Sequence, residues 1–374
     1  MKAAIIGGGF AGEIHASALR SCGIDLSAVV TTRADSAKNF AQKWQIPRWG
    51  TDSLIALDDD IDTVHICTPP SSHGRYIREA LAAGKKVFCE KPLCFDFEEA
   101  YDLAAALQNS GINGTVSFNV RYHMAVQRAR ELILSGAFGR PLLIHGSYLQ
   151  EFHILPCPYG WRYDTDLGGK MRAVTEIGSH WIDTAQYISG KQVKAVSASL
   201  VHFFPDRIVQ NGQMKRARIK DAETAELSAD IRRIRVESED AACISFRYED
   251  GAIGNVFLSE ISHGRGNHLS LEVTCENGSL WWNEEENNVL HTAVRGEGVR
   301  SEIFAFGNGF QDTFISLIRN FYEEKEYPTF FEAAWNVGVC DAIARSASMD
   351  SMWTEVKPIP AGVAHVTLPR IKQK

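Results

Sequence analysis

The sequence lacks most of the features that would place it outside ordinary globular chemistry. Its eight cysteines include no CxxC pair, and in 374 residues such scattered thiols read as reduced and mostly buried, not as a disulfide framework. Cys89 and Cys94 in particular read as core packing. The twelve histidines are equally dispersed; His153 and Cys157 sit four apart among prolines, a poor ligand frame, so no metal is expected. Positive charge is not in excess. A formal charge of -7 and a pI near 6.0 give no field for nucleic acid or an anionic membrane. No apolar run approaches the roughly 20 residues of a spanning helix. Met1 leads straight into AAII without a charged and then apolar leader, so a cytoplasmic protein with no membrane partner is expected. There is no internal repeat and no low-complexity tract.

What remains, 45% hydrophobic and 23% charged residues, is enough to build two domains. In the first third, short apolar runs (3–6, 26–31, 63–67, 86–89) alternate with amphipathic stretches (10–21, 35–44, 72–83, 97–108). That alternation predicts βαβ units and a doubly wound parallel sheet over residues 1–120, a Rossmann dinucleotide-binding domain. Beyond it the runs lengthen and alternate (142–150, 194–203, 226–237, 241–248, 254–259, 270–275), several meeting at Asp250-Gly251 or Asn277-Gly278. Such turns predict hairpins. Residues 121–374 are therefore expected to form an α+β domain on a large open antiparallel sheet, for substrate binding and oligomerisation. Helices are expected over 310–324 and 331–348, with a closing C-terminal strand near Glu355 that returns to the body, and 205–220 reads as an exposed basic loop.

Three motifs carry chemistry. Gly7-Gly8-Gly9-Phe10-Ala11-Gly12 is a GxGxxG turn following AAII. Gly7 suits a tight turn, Gly9 admits a pyrophosphate, Gly12 allows helix and sheet to approach, and the N–H groups of the helix start suit phosphate. At the end of the second strand, where an acid would bond ribose hydroxyls, stand Thr31, Thr32 and Arg33. The hydroxyls can meet a ribose and the guanidinium a 2′-phosphate, so both NAD and NADP stay open here. Thr68-Pro69-Pro70-Ser71 places a hydroxyl-rich turn at the same sheet edge, and Glu90-Lys91-Pro92 ends the next strand there. A lysine so placed lowers a hydroxyl pKa or steadies an oxyanion. In 168–183, GGKMRAVTEIGSHWID, Glu176 and His180 stand four apart, on one face if the segment is α-helical. Alone the pair reads equally as a salt bridge; with the nucleotide turn and the lysine it suggests hydride transfer with a proton relay.

GGGFAG, TPPSSH, CEKP and EIGSHWID together resemble the Gfo/Idh/MocA family of nicotinamide-dependent sugar oxidoreductases over nearly the full chain. The resemblance implies Lys91 and His180 as the catalytic pair and Glu176 as orienter or relay, where the family commonly has aspartate. It implies dinucleotide contacts from the glycine turn, Thr32, Arg33, Thr68, Pro69, His73, Glu90 and Lys91. Tyr148-Leu149-Gln150, Trp161-Arg162 and RAVTEIGSHW most resemble the levoglucosan dehydrogenase and glycoside 3-dehydrogenase branch. That branch implies oxidation of a pyranoside at C3 with Gln150, Arg162, Trp161 and Tyr122 on the sugar; Tyr159 and Tyr163 offer further rings. It implies NAD over NADP, against the contrary hint from Arg33, in some relatives retained between turnovers. A small-molecule sugar partner and a homo-oligomer through the open sheet complete the expectation. Alternatives are an inositol dehydrogenase, a keto-sugar reductase, or a non-catalytic dinucleotide-binding regulator, the last disfavoured by Lys91 and His180 together.

Overall fold

Six short strands, β1 (Lys2–Ile6), β2 (Asp25–Val30), β3 (Arg48–Gly50), β4 (Thr63–Ile66), β5 (Lys86–Cys89) and β6 (Gly114–Val116), pair in the order β3-β2-β1-β4-β5-β6. All five pairings are parallel. In this computed structural model, which describes residues 1–217 and 231–358, the chain divides into two compact units. One takes in Met1–Arg128 and Phe304–Gly338; the other takes in Ala129–Ile303 and Val339–Lys357.

In the first unit, helices α1 (Phe10–Ser21), α2 (Ala34–Trp44), α3 (His73–Ala82) and α4 (Phe97–Ser110) alternate with the strands. Apart from the edge strand β3 the strands are mostly buried, which explains their apolar runs. α4 shows how local sequence sets the boundaries: Asp96 accepts the Glu99 N–H at 2.9 Å, and Gly111 ends the helix at φ 67°. Helix Phe310–Tyr322 packs Phe314, Leu317, Ile318 and Phe321 with Ile5, Leu19, Val29 and Phe88, while Phe330, Ala333 and Val337 join Ile66, Val87 and Leu103. The sequence reading had counted 304–338 with the second domain. Their apolar stripes are what complete the two cores of the nucleotide fold.

The second unit is built on nine strands. In spatial order they are Gly298–Ile303, Val289–Val294, Ser279–Asn283, His268–Cys275, Pro141–Leu149, Ile253–Ser259, Ala241–Tyr248, Val193–Val201 and Thr354–Glu355. Every pairing is antiparallel except Pro141–Leu149 with Ile253–Ser259, so the sheet is mixed. The Asp250-Gly251 and Asn277-Gly278 turns do join hairpins, and the closing strand near Glu355 pairs with Val193–Val201 in this sheet. Helix Ser179–Ser189 is fastened to one face by the fully buried Trp181, whose indole N–H donates to the Ser270 carbonyl at 2.9 Å and whose ring stacks on Phe246.

A second, four-stranded sheet departs from the sequence reading. Asp206–Gln210 and Gln213–Arg216 form a hairpin flanked by Ile231–Arg235 and Cys157–Pro158, where an exposed loop was expected. Arg207 and Met214 are buried in it. The polar composition misled because Arg207 is neutralised inside, 2.7 Å from Asp240. The strand expected over 226–237 belongs here as far as Ile231–Arg235; 226–230 and 218–220 lie outside the described residues.

Candidate active site

The order of the parallel sheet reverses between β1 and β4, the switch point where open α/β sheets bind ligands at their carboxyl edge. Gly7, Thr68 and Lys91 follow β1, β4 and β5 at that edge. Gly7 has φ 109°, and a Cβ there would stand 2.5 Å from the Cys67 carbonyl oxygen; one on Gly12 would stand 2.1 Å from that of Gly7. Both positions therefore exclude a side chain. A Cβ on Gly9 would meet nothing within 4 Å, and the start of α1 has no side-chain cap. Open space and unclaimed helix-start N–H groups are what a pyrophosphate needs, so the turn fits a dinucleotide. Phe10 is exposed and Ala11 half-buried beside it. Thr31 spends its hydroxyl on the Arg33 carbonyl at 2.8 Å, whereas Thr32 and Arg33 are exposed.

Thr68 and Pro69 are half-buried, and Thr68 Oγ1 accepts from Ser72 at 2.7 Å. His73 is fully buried, its ring nitrogens 2.8 Å from the Thr68 carbonyl and 3.0 Å from that of Pro92. It ties the two turns together from behind. The cofactor contact expected of His73 is thus corrected to a positioning role; burial lowers its pKa, against the two carbonyl contacts, which raise it. Glu90 accepts the Lys91 N–H at 3.2 Å and meets His15 Nε2 at 2.9 Å. Burial alone would raise its pKa, but the His15 contact and Lys91 hold it below the ordinary value. Lys91 is half-buried and joined to Pro92 by a cis peptide. Tyr122 is buried in the apolar cluster of α1 and helix Phe310–Tyr322, and its hydroxyl donates to the Glu326 carbonyl at 3.0 Å. Packing accounts for it, in place of the sugar contact expected.

In the second unit, Val174–Gly178 is a π-helical turn that runs into helix Ser179–Ser189, not the α-helix the spacing suggested. Single π turns are frequent at functional sites. Glu176 and His180 are both half-buried there. Arg162 Nε lies 2.8 Å from each Glu176 carboxylate oxygen, and its guanidinium covers the Trp161 ring at 4.5 Å. Behind the pair lies a charge network that linear reading missed. His153 Nε2 is 4.0 Å from Glu176 and 3.9 Å from the fully buried Glu260, which meets Arg172 at 3.2 Å. Arg172 and Arg207 share Asp240 and flank the Tyr163 ring. Burial and three guanidiniums hold the His153 imidazole neutral, its pKa down to about 2. Burial pushes the Glu260 carboxyl up, opposed by Arg172.

His153, Glu176 and Glu260 offer donor atoms within 4.8 Å of one another, a spacing a metal could use. Arg162 and Arg172 already supply cations to both carboxylates, so charge balance calls for no ion. Gln150 is buried; its amide donates to Asn267 Oδ1 at 2.5 Å, which also takes the Tyr148 hydroxyl at 2.8 Å. Of the three rings in 159–163, Tyr163 is buried and Tyr159 stacks upon it, whereas Trp161 is half-buried. Of the residues that sequence reasoning missed, only Arg172 carried a local signal, four before Glu176; Arg207, Asp240 and Glu260 are distant in the chain.

Residues 1–118 match the oxidoreductase family with NAD-binding Rossmann fold, and residues 126–281 match the GFO/IDH/MocA C-terminal domain. The chain belongs to the Gfo/Idh/MocA family of oxidoreductases. Levoglucosan dehydrogenase of Pseudarthrobacter phenanthrenivorans is 29% identical over 96% of this chain and 99% of its own length. A solved levoglucosan dehydrogenase in complex with NADH and levoglucosan superposes with TM-score 0.85 at 27% identity, covering 96% of this chain and 100% of that one. The scyllo-inositol 2-dehydrogenase (NAD(+)) of Bacillus subtilis is 27% identical over 75% of this chain and 73% of its own. As a Gfo/Idh/MocA member this chain is an NAD-dependent oxidoreductase, and the glycine turn, Thr32, Arg33 and the Thr68-Pro69 turn are the residues that would hold the dinucleotide. Among the described residues no helix is long and apolar enough to cross a membrane.

Proposed function

We propose that this chain is a dehydrogenase of pyranosides, oxidising the C3 hydroxyl of a glucopyranosyl ring to a 3-keto glycoside. The observation that carries the reading is likeness to levoglucosan dehydrogenase over the length of both chains. Levoglucosan locks its anomeric carbon in an anhydro bridge, so only ring hydroxyls are open to oxidation. The dinucleotide, when bound, supplies the hydride acceptor. His180 takes the hydroxyl proton, and the Lys91 ammonium steadies the alkoxide charge that develops as that proton leaves and that is spent in forming the carbonyl when hydride departs from carbon. Glu176, its carboxylate held by Arg162 at 2.8 Å, keeps a fixed negative charge on the helix of His180 and orients that imidazole. Gln150, Trp161 and Arg162 are proposed to contact the sugar. Exposed apolar residues on the large sheet support a homo-oligomer, and Lys91 with His180 supports turnover over a purely regulatory role. The match to scyllo-inositol 2-dehydrogenase favours a second reading, a cyclitol dehydrogenase using the same groups.

A methyl glucoside carrying deuterium at C3 or at C1 tests the proposal. C3 oxidation gives a primary isotope effect and loss of label only from C3, with the glycosidic bond intact by NMR. Loss from C1 would overturn it, and faster turnover of inositol than of any glucoside would move the assignment to the second reading.

A further inference from the structure

Behind the Glu90-Lys91 turn a chain of hydrogen bonds crosses the nucleotide unit that neither the glycine turn nor the proton transfer above requires. Glu90 Oε1 lies 2.9 Å from His15 Nε2, His15 Nδ1 lies 2.9 Å from His65 Nδ1, and His65 Nε2 lies 3.0 Å from the Tyr322 hydroxyl. Both imidazoles are fully buried and Tyr322 is buried. His65 stacks between Phe88 and Tyr322, at 4.7 and 6.0 Å, with 12° between planes in each case. The buried Thr63 hydroxyl makes no hydrogen bond and lies near enough to that of Tyr322 to interact with it. Apolar side chains would fill this core at less cost, since every member must be satisfied by the next.

Two imidazoles joined Nδ1 to Nδ1 cannot both donate or both accept, so the chain has a direction. With Glu90 ionised and both rings neutral, His15 carries its proton on Nε2 and donates to the carboxylate. Its Nδ1 then accepts from His65 Nδ1–H, and His65 Nε2 accepts from the tyrosine O–H. One added proton makes both nitrogens of His15 donors. His65 must then accept at Nδ1, carry its proton on Nε2 and donate to Tyr322, whose O–H turns to Thr63. Every bond beyond His15 reverses while the heavy atoms stay in place.

We propose that Glu90, His15, His65 and Tyr322 form a buried relay that takes up one proton from solvent and so sets the charge beside Lys91. His15, His65 and Tyr322 are positioning residues acting through Glu90, and the inference rests on the reading of Lys91 as catalytic. The empty relay carries one negative charge and favours the lysine ammonium; the loaded relay carries none. The other titratable groups near Glu90 are Cys67, Cys89 and His73, and near Tyr322 are Cys22 and Asp62. Burial pushes the three thiols up, so they stay neutral, and pushes the His73 pKa down; Lys91 and the exposed Asp62 remain. Burial also keeps His65 itself from becoming the cation.

The test is ¹⁵N NMR of histidine-labelled full-length enzyme between about pH 5 and pH 8. His65 is expected to stay neutral yet change from the Nδ1–H to the Nε2–H tautomer as pH falls, in step with His15 gaining a proton. A single His65 tautomer throughout, or an imidazolium at His65, overturns the relay. Kinetics supply the second arm. His15→Gln keeps an N–H for Glu90 and an acceptor for His65 but cannot hold the extra proton, so its kcat profile should lose an inflection that the parent shows. Tyr322→Phe should shift that inflection by about one pH unit, with NAD affinity unchanged in both. Profiles that coincide with the parent's overturn the role in turnover, even if either variant melts lower. Full turnover in Lys91→Ala would instead overturn the catalytic reading while leaving the tautomer change in place.

Discussion

In the proposed mechanism Lys91 and His180 differ in what each does to the alcohol, and single substitutions separate them from the groups that support them. Lys91→Ala and His180→Ala should each lower kcat by about 10² or more with dinucleotide affinity nearly unchanged, because positioned acid and base groups contribute 10² to 10⁴. Glu176→Gln should cost less than His180→Ala, since the amide still meets Arg162 but gives up the charge. Stopped-flow turnover beside a titration with NAD reads both quantities, and near-parent turnover in either alanine variant would refute the assignment. These residues could be proposed from the sequence because short linear motifs carry them: a strand end with EKP, and a glutamate four before a histidine. His153, Arg172 and Glu260 were not, because they come from three separated segments and meet only in the folded unit. His15 and His65 were hidden for the same reason, fifty positions apart and joined through the sheet core.

At the scale of elements, four of the six strands of the first unit and the four helices among them were read to within two residues, because strands buried on both faces are plain apolar runs; Arg48–Gly50 and Gly114–Val116, three residues each, were too short to show such a run. The hairpin at 206–216 was missed because it buries an arginine, and the π turn because residue spacing alone does not tell i→i+4 from i→i+5 hydrogen bonding. That turn has an unusual start. Glu239 is fully buried and accepts the N–H of Arg172 at 3.0 Å and of Val174 at 2.8 Å. Burial raises its carboxyl to about 7, even against those bonds. The folded protein thus binds a proton here more tightly than the unfolded chain does. The stabilisation is complete below the ordinary glutamate pKa near 4.5 and is lost as pH rises through about 7. Glu239→Gln, neutral at every pH and still an acceptor, should melt above the parent at pH 8 while gaining little at pH 5, by scanning calorimetry. An equal change in melting temperature at both values would show that Glu239 ionises freely in the fold.

For the molecule as a whole, the large sheet poses the problem of its second face. Helix Ser179–Ser189 covers one side through Trp181, yet Leu143, Ile253 and Phe257 remain 42%, 53% and 51% exposed. Leu143 stands directly opposite Ile253, and Phe257 is two pleats further along the same strand opposite Cys243, so their side chains share one face. Nine strands about 4.8 Å apart and about seven residues long, at 3.4 Å each, present a face on the order of 1,000 Å². A standard interface covers about 800 Å² on each partner, so the face is large enough to pair with a second copy. Isolated apolar residues would need no such explanation, but three large ones exposed on one face of two adjacent strands do. Ile253→Glu with Phe257→Glu would place four carboxylates into a face-to-face pairing of two copies while leaving each core untouched. Sedimentation velocity should then show the parent as an oligomer and the double variant as a monomer, with the far-ultraviolet spectrum of the sheet retained. An unchanged sedimentation coefficient would mean that association, if any, uses another surface.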